Sequence, residues 1–295
     1  MKQYHKLLED ILEHGEDVND RTGVGTRSIF GYQMRFDLAA GFPAITTKKL
    51  AWKAVVGELL WILEGSTDER RLAELTFGKH RADLVGKSTI WTANADKQGR
   101  ELGYVNNQFT KELGPVYGSQ WRDFNGFSVY KGTDQIRTVL HQLTTQLDSR
   151  RIILSAWNPN QLHQMALPPC HAFTQFRVIN GKLSCQMYQR SGDAFLGIPF
   201  NIASYSLLTH ILARECNLEV GDFVHTIGDA HIYSNHFDQV HEQLSREEYP
   251  LPTLSIDNEF DLSDRLKNGF RLADAKYFEL TNYQSHGTIK ANMAV

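Results

Sequence analysis

Cysteine is scarce. The chain has three in 295 residues, Cys170, Cys185 and Cys216, and an odd number without paired spacing cannot form a disulfide framework. That scarcity points to a reducing compartment, and a cytoplasmic protein is the expectation. Long apolar runs are missing as well. No segment approaches the roughly 18 apolar residues of a membrane span, and the start Met1-Lys2-Gln3-Tyr4-His5 has no apolar signal core. Neither charge dominates: 31 Lys plus Arg against 34 Asp plus Glu leave a formal charge of -3, which excludes the global basic field of non-specific nucleic-acid binders. Any phosphate chemistry must rest on local arginines. Metal motifs are absent too, since His231 and His236 lack His-Glu-x-x-His spacing and a nearby Cys pair. A Gly-x-Ser-x-Gly elbow is missing, and Gly23-Val24-Gly25 is only a fragment of a dinucleotide fingerprint. What is present is an ordinary globular composition, 41% hydrophobic and 22% charged, long enough for a large core.

Tyr4, Leu7, Leu8, Ile11 and Leu12 share one helical stripe that stops at Gly15, an amphipathic helix with a glycine C-cap. Phe30, Tyr32, Met34 and Phe36 alternate as a strand with one buried face, closed by Gly41-Phe42-Pro43. Trp52 to Leu63 is apolar around most of its circumference, so a helix buried on several sides is expected there, with Glu58 inside it. Thr92 to Asn107 is polar and aperiodic and reads as a surface insertion, and a second loop runs from Asp123 to Gly132. Ile136, Val139, Leu140, Leu143 and Leu147 predict a helix, and Arg150-Arg151 leads into a strand over Ile152 to Trp157. Asn180-Gly181 between Phe173–Val178 and Leu183–Met187 is a hairpin signal. A second apolar helix spans Ile202 to Cys216, a strand follows Gly221-Asp222, and a shorter helix lies near Tyr233 to Leu244. The irregular alternation with an antiparallel hairpin favours an α+β fold, and no stretch looks like a linker, so one domain over 1–295 is expected.

Cys170 follows two prolines in Leu167-Pro168-Pro169-Cys170-His171, where the backbone is stiff. A fixed nucleophile has this form if positive charge nearby favours its thiolate, and a buried inert thiol remains the alternative, one that suits Cys185 and Cys216 well. Arg21 in a glycine-rich turn, Arg150-Arg151 at an element boundary and Arg190-Ser191 at a strand end suit a phosphomonoester, or equally surface ion pairs. Burial would raise the Glu58 pKa and make it a proton shuttle near neutrality, unless Lys48, Lys49 or a core arginine pairs with it. His231 and Tyr233 face one side of an extended segment and could grip a sugar hydroxyl, or form a core pair.

Eight segments together are specific: Arg21-Thr22-Gly23, Glu58-Leu59-Leu60-Trp61, Gly114-Pro115-Val116-Tyr117-Gly118, Asp148-Ser149-Arg150-Arg151, Pro168-Pro169-Cys170-His171, Gln189-Arg190-Ser191-Gly192-Asp193, Pro199-Phe200-Asn201-Ile202-Ala203-Ser204-Tyr205 and His231-Ile232-Tyr233-Ser234-Asn235-His236. In order and over essentially the whole chain they resemble the folate-dependent, cysteine-nucleophile thymidylate synthase family. The resemblance implies a mixed, largely antiparallel sheet packed by helices and a homodimer joined through sheet faces. It also implies reductive methylation of dUMP to dTMP, with 5,10-methylenetetrahydrofolate supplying the one-carbon unit and the hydride, and no metal. Cys170 would add to carbon 6 of uracil, with Glu58, Tyr117, Arg190, His171 and Asp193 in the catalytic group. Arg21, Ser191 and the partner's copies of Arg150 and Arg151 would hold the phosphate. Gln189 would lie on the substrate side, Asn201 on the uracil edge, and His231 with Tyr233 on the ribose. Trp91, Asp193, Leu167, Gly197, Phe200, Ala294 and Val295 would form the folate side, the terminal carboxylate closing over it.

Three departures fall on the folate side. Thr92 stands where the family commonly has Asp after the tryptophan, Asn292 where proline or another residue is often found, and the insertion before Tyr117 is of intermediate length. The rivals are a dUMP hydroxymethylase, which lets water rather than hydride finish the reaction, and a non-catalytic nucleotide-binding or RNA-binding homologue. Retained Trp91 and the Ala294-Val295 end favour the synthase, and the near-neutral charge argues against obligatory nucleic acid.

Overall fold

A computed structural model describes residues 1–19, 23–126 and 131–292. The elements run α1 (Lys2–His14), β1 (Glu16–Val18), β2 (Thr26–Asp37), α2 (Trp52–Glu64), α3 (Glu69–Phe77), α4 (Thr92–Asn94), α5 (Tyr117–Asp123), α6 (Gln135–Thr145), β3 (Ile153–Ser155), β4 (His171–Ile179), β5 (Lys182–Asp193), α7 (Ile198–Glu215), β6 (Glu219–Tyr233), α8 (Phe237–Leu244), β7 (Thr253–Ile256), α9 (Leu262–Asn268) and β8 (Phe278–Thr281). The class is α+β. Six strands lie in the order β1-β2-β6-β5-β4-β3, antiparallel at every pairing except the parallel β5–β6 join, and β7 pairs with β8 separately.

The parallel join matters because it sets Ser191 opposite Asp229 and Asp193 opposite His231, bringing two distant sequence segments to one end of the sheet. The β4–β5 hairpin supplies the other side of that end. It turns at Asn180 (φ 51°) and Gly181 (φ 75°), the two positive-φ positions that a two-residue turn of right-handed twist requires. Helix α7 packs on β5 and β6, with α2 behind it. Both are apolar around most of their circumference, as their sequences predict for helices without a solvent face. Their packing is close: a Cβ on Gly57 of α2 would collide with the Thr76 hydroxyl of α3.

Several expectations are corrected. Gly15 does cap α1, its N–H bonded to the Ile11 carbonyl, but in extended backbone (φ -72°), and glycine is needed because a Cβ would collide with that carbonyl. Phe30 is 85% exposed, because Gly31 at φ 83° shifts the alternation and leaves Ile29 packed on the core. Thr92 to Asn107 is not wholly aperiodic: α4 continues as a wider π turn through Gly99, and Ala95 is fully buried. Leu147 lies beyond the end of α6, exposed. The second loop is described only in part, since 127–130 fall outside the described residues. No helix among the described residues is long and apolar enough to cross a membrane.

Candidate active site

Cys170 closes the loop that leads into β4, and its backbone is held from two sides. The Tyr117 hydroxyl of α5 accepts the Cys170 N–H at 2.7 Å, and the Cys170 carbonyl accepts the Arg190 N–H at 2.8 Å. Arg190 then turns its guanidinium back along the loop. Its Nε donates to the Pro169 carbonyl at 2.9 Å, and its Nη2 donates to the Pro168 carbonyl at 3.0 Å and lies 3.6 Å from the Cys170 Sγ. Burial pushes the Cys170 thiol up, and the Arg190 charge pulls it back. Among the described residues no cation offsets burial at Cys185 or Cys216, which it drives to about 12 and about 11. Among the three thiols, Cys170 is the one placed for thiolate chemistry.

Glu58 of α2 lies in the same cleft. Burial raises its pKa, opposed by the Trp91 indole N–H, which donates to Oε1 at 2.7 Å. Trp91 meets Tyr117 edge-on at 5.9 Å, and Tyr117 stacks on His171 at 4.0 Å. Burial lowers His171 to about 3, so it is a neutral ring at physiological pH, hydrogen-bonded through Nδ1 to the Tyr205 hydroxyl at 2.7 Å. Tyr117 is likewise neutral, its pKa well above the usual phenol value through burial.

A third group fixes Asn201, on the first turns of α7. Gln189 Nε2 contacts the Ser191 carbonyl at 3.0 Å, an atom that can only accept, so this end of the side chain is the amine. The same amine donates to Asn201 Oδ1 at 3.1 Å, and Gln189 Oε1 accepts from His225 Nε2 at 2.9 Å. His225 is fully buried and lowered to about 3, so it is neutral and carries its proton on Nε2. The Asn201 amide is thereby presented with one polarity. His225 gives no sequence signal, being a histidine flanked by Phe223, Val224 and Ile227 with no motif around it.

His231 and Tyr233 are together as expected, rings 5.1 Å apart and nearly perpendicular. Burial would lower the His231 pKa, but the Asp229 carboxylate 3.5 Å away outweighs it and the pKa is raised. Asp193 Oδ1 accepts the Phe195 and Leu196 N–H groups, which fixes the turn into α7 where Gly197 sits. Leu167 packs against the core just before the two prolines.

Beyond Gly197 opens a cavity of about 830 Å³, lined by Lys48, Lys49, Leu196, Phe200, Asn235, Gln239 and the segment Thr288 to Asn292. Lys48 serves this cavity rather than Glu58. Burial lowers it to about 7 although Asp193 opposes the shift, and it donates to the Phe195 carbonyl. Arg150 and Arg151 are not part of this cleft. They are exposed at the start of β3, the edge strand. Arg21, Ala294 and Val295 lie outside the described residues, so the structure places none of the three. No group of three or more His, Cys, Asp or Glu side chains among the described residues is arranged to hold a metal.

A held thiol beside an arginine, a protonatable carboxyl and an amide of fixed polarity is equipment for covalent thiol chemistry on a bound small molecule. The thymidylate synthase family model matches residues 2–295, and the chain belongs to that family.

Proposed function

We propose that the protein is a thymidylate synthase that methylates dUMP, with Cys170 as the nucleophile. The clamp on Cys170 is the observation that carries this reading. A thiolate there adds to carbon 6 of the uracil ring, and the new C–S bond moves electron density to carbon 5 and the carbonyl at carbon 4. Glu58, kept protonatable by burial, passes a proton to that carbonyl through water. The pinned Asn201 amide accepts from the ring N–H and donates to the carbonyl, a pattern that cytosine inverts. Tyr117 stays neutral, so it assists loss of the carbon 5 proton by orienting the group that accepts it rather than as an anion. His231 and Tyr233 hold the ribose hydroxyl. Arg21, Ser191 and Arg190 hold the phosphate with the partner's copies of Arg150 and Arg151.

The large cavity fits the folate. Apolar Leu196, Phe200 and Ile289 suit a flat ring, the lysines suit its carboxylates, and Gln239 Oε1 is buried there with no hydrogen-bond partner among the described residues. When bound, 5,10-methylenetetrahydrofolate supplies the one-carbon unit and the hydride. Trp91, Asp193 and Gly197 contact it on our reading, with the Ala294-Val295 tail excluding water. A homodimer is supported by the sheet face opposite α7, where Phe30, Phe173 and Tyr188 are exposed, apolar and aromatic. The three free thiols support a cytoplasmic location.

Cys170→Ala tests the reading. It should abolish turnover while dUMP binding, measured by calorimetry, survives. Turnover that persists in the variant would remove Cys170 as nucleophile. A variant that keeps the biological role without turnover would favour the non-catalytic binding homologue.

A further inference from the structure

Glu69 is fully buried at the start of α3, its carboxylate paired fork-to-fork with Arg70, which is 2% exposed. A buried ion pair recovers its desolvation cost only when further hydrogen bonds complete it. Arg70 Nη1 donates to the Leu84 carbonyl at 3.3 Å, and the side-chain donors to Glu69 come from one segment. Glu69 Oε1 also accepts from the Thr89 hydroxyl at 2.7 Å and the Thr92 hydroxyl at 2.6 Å. Each hydroxyl in turn accepts a backbone N–H: Thr89 Oγ1 from Trp91 at 3.2 Å and Thr92 Oγ1 from Thr89 at 2.8 Å. Those N–H groups cannot be acceptors, so the hydroxyl hydrogens must point at Glu69. A single carboxylate oxygen thus ties down the residues on both sides of Trp91, at the start of α4. The indole of Trp91 leads on to Glu58 at 2.7 Å.

We propose that Glu69 is a positioning residue for Trp91, acting through the Thr89 and Thr92 hydroxyls to hold the indole N–H on Glu58. Its bearing on turnover rests on the reading of Glu58 as the proton relay given above. Thr92, the departure on the folate side, is therefore an engaged part of the site: its hydroxyl is one of the two links to a carboxylate supplied by α3. Besides Trp91, Glu58 faces Tyr117 of α5 and Tyr205 of α7, both held neutral by burial.

Two variants test the link. Thr89→Val with Thr92→Val cuts it and leaves the Glu69–Arg70 pair in place. Glu69→Ala with Thr92→Asp removes the carboxylate from α3 and returns one from the Thr92 side, where the hydroxyl now lies 2.6 Å from Glu69 Oε1. The direct readout is the Trp91 indole N–H resonance in 15N-labelled protein, assigned with Trp91→Phe. It should move upfield in the double valine variant and in Glu69→Ala, and return when Thr92→Asp is added. With it, kcat should fall about tenfold to a hundredfold in the first two and recover in the third, with dUMP affinity unchanged. The pH limb of kcat that reports Glu58 should shift upward, since the lost indole bond is what lowers that pKa. A resonance that stays in place in the valine variant, with only melting temperature reduced, would overturn the proposal as a merely structural cap. Glu58→Gln separates the two readings: if the wild-type limb survives it while the resonance still moves as described, the positioning stands and the relay role of Glu58 falls.

Discussion

Arg190 Nη2 stands 3.6 Å from the Cys170 Sγ while the same guanidinium bonds the carbonyls of Pro168 and Pro169. One side chain therefore both shapes the loop and lowers the pKa of the thiol it presents. Arg190→Met should raise the Cys170 pKa and slow its alkylation by iodoacetamide at pH 7.5, by about tenfold for each pH unit that the thiol rises. Mass spectrometry reads the rate at Cys170, and burial, which raises Cys185 to about 12 and Cys216 to about 11, keeps those two silent. An unchanged rate would mean that the arginine charge does not act on the sulfur.

On the proposed reading, Asn201 discriminates between uracil and cytosine because its amide cannot turn over. Gln189 and His225 hold it in one polarity, anchored at the Ser191 carbonyl. Asn201→Asp should raise the dCMP to dUMP ratio of kcat/KM by about a hundredfold or more, since a protonated carboxyl can match the cytosine edge that the amide refuses. A ratio that does not move would remove Asn201 from the pyrimidine edge.

Acid should unfold the protein through its buried neutral histidines. His171 and His225 lie at about 3 in the fold, far below the ordinary 6.5, so the unfolded chain takes up protons first. Their contribution is undiminished above pH 6.5 and is lost as pH falls from there toward 3. Each histidine costs about 1.4 kcal/mol of stability per pH unit in that window. His225→Gln keeps a donor for Gln189 and should flatten the stability profile between pH 4 and 6 by about that slope. Urea midpoints at several pH values check it, and an undiminished slope would contradict the assignment.

Gly181→Ala should destabilise by about 1–2 kcal/mol with activity per folded molecule unchanged. A Cβ there meets nothing within 4 Å, so the whole effect is the cost of φ 75° for an L-residue. Thermal melting reads it, and a neutral result would mean that the turn relaxes.

The hairpin and α2 are legible in the sequence because each is a local signal: a two-residue turn in one case, an unbroken apolar run in the other. Alternation misplaces Phe30 because it assumes a regular pleat and Gly31 breaks it. The helical turns after Trp91 escape a periodic reading because they bury little more than Ala95 and Gly99, too few residues to make a period. At the site, Cys170, Glu58 and Asn201 stand out through motif and resemblance. Their immediate holders Tyr117, Arg190, Trp91 and Gln189 stand out the same way, but the groups behind those do not. His225 reaches Gln189 across β5–β6, Glu69 reaches Thr92 across 23 residues, and Lys48 meets α7's entry through the fold. Such pairings exist only once the chain is packed, and no spacing rule announces them.

The most direct measurement mixes purified protein with dUMP and 5,10-methylenetetrahydrofolate, follows dihydrofolate absorbance and weighs the nucleotide product. Dihydrofolate and dTMP in equal amounts are the expected result, with Thr92 and Asn292 as tolerated variation. A product one oxygen heavier than dTMP, with tetrahydrofolate released, would contradict it and make the protein a dUMP hydroxymethylase.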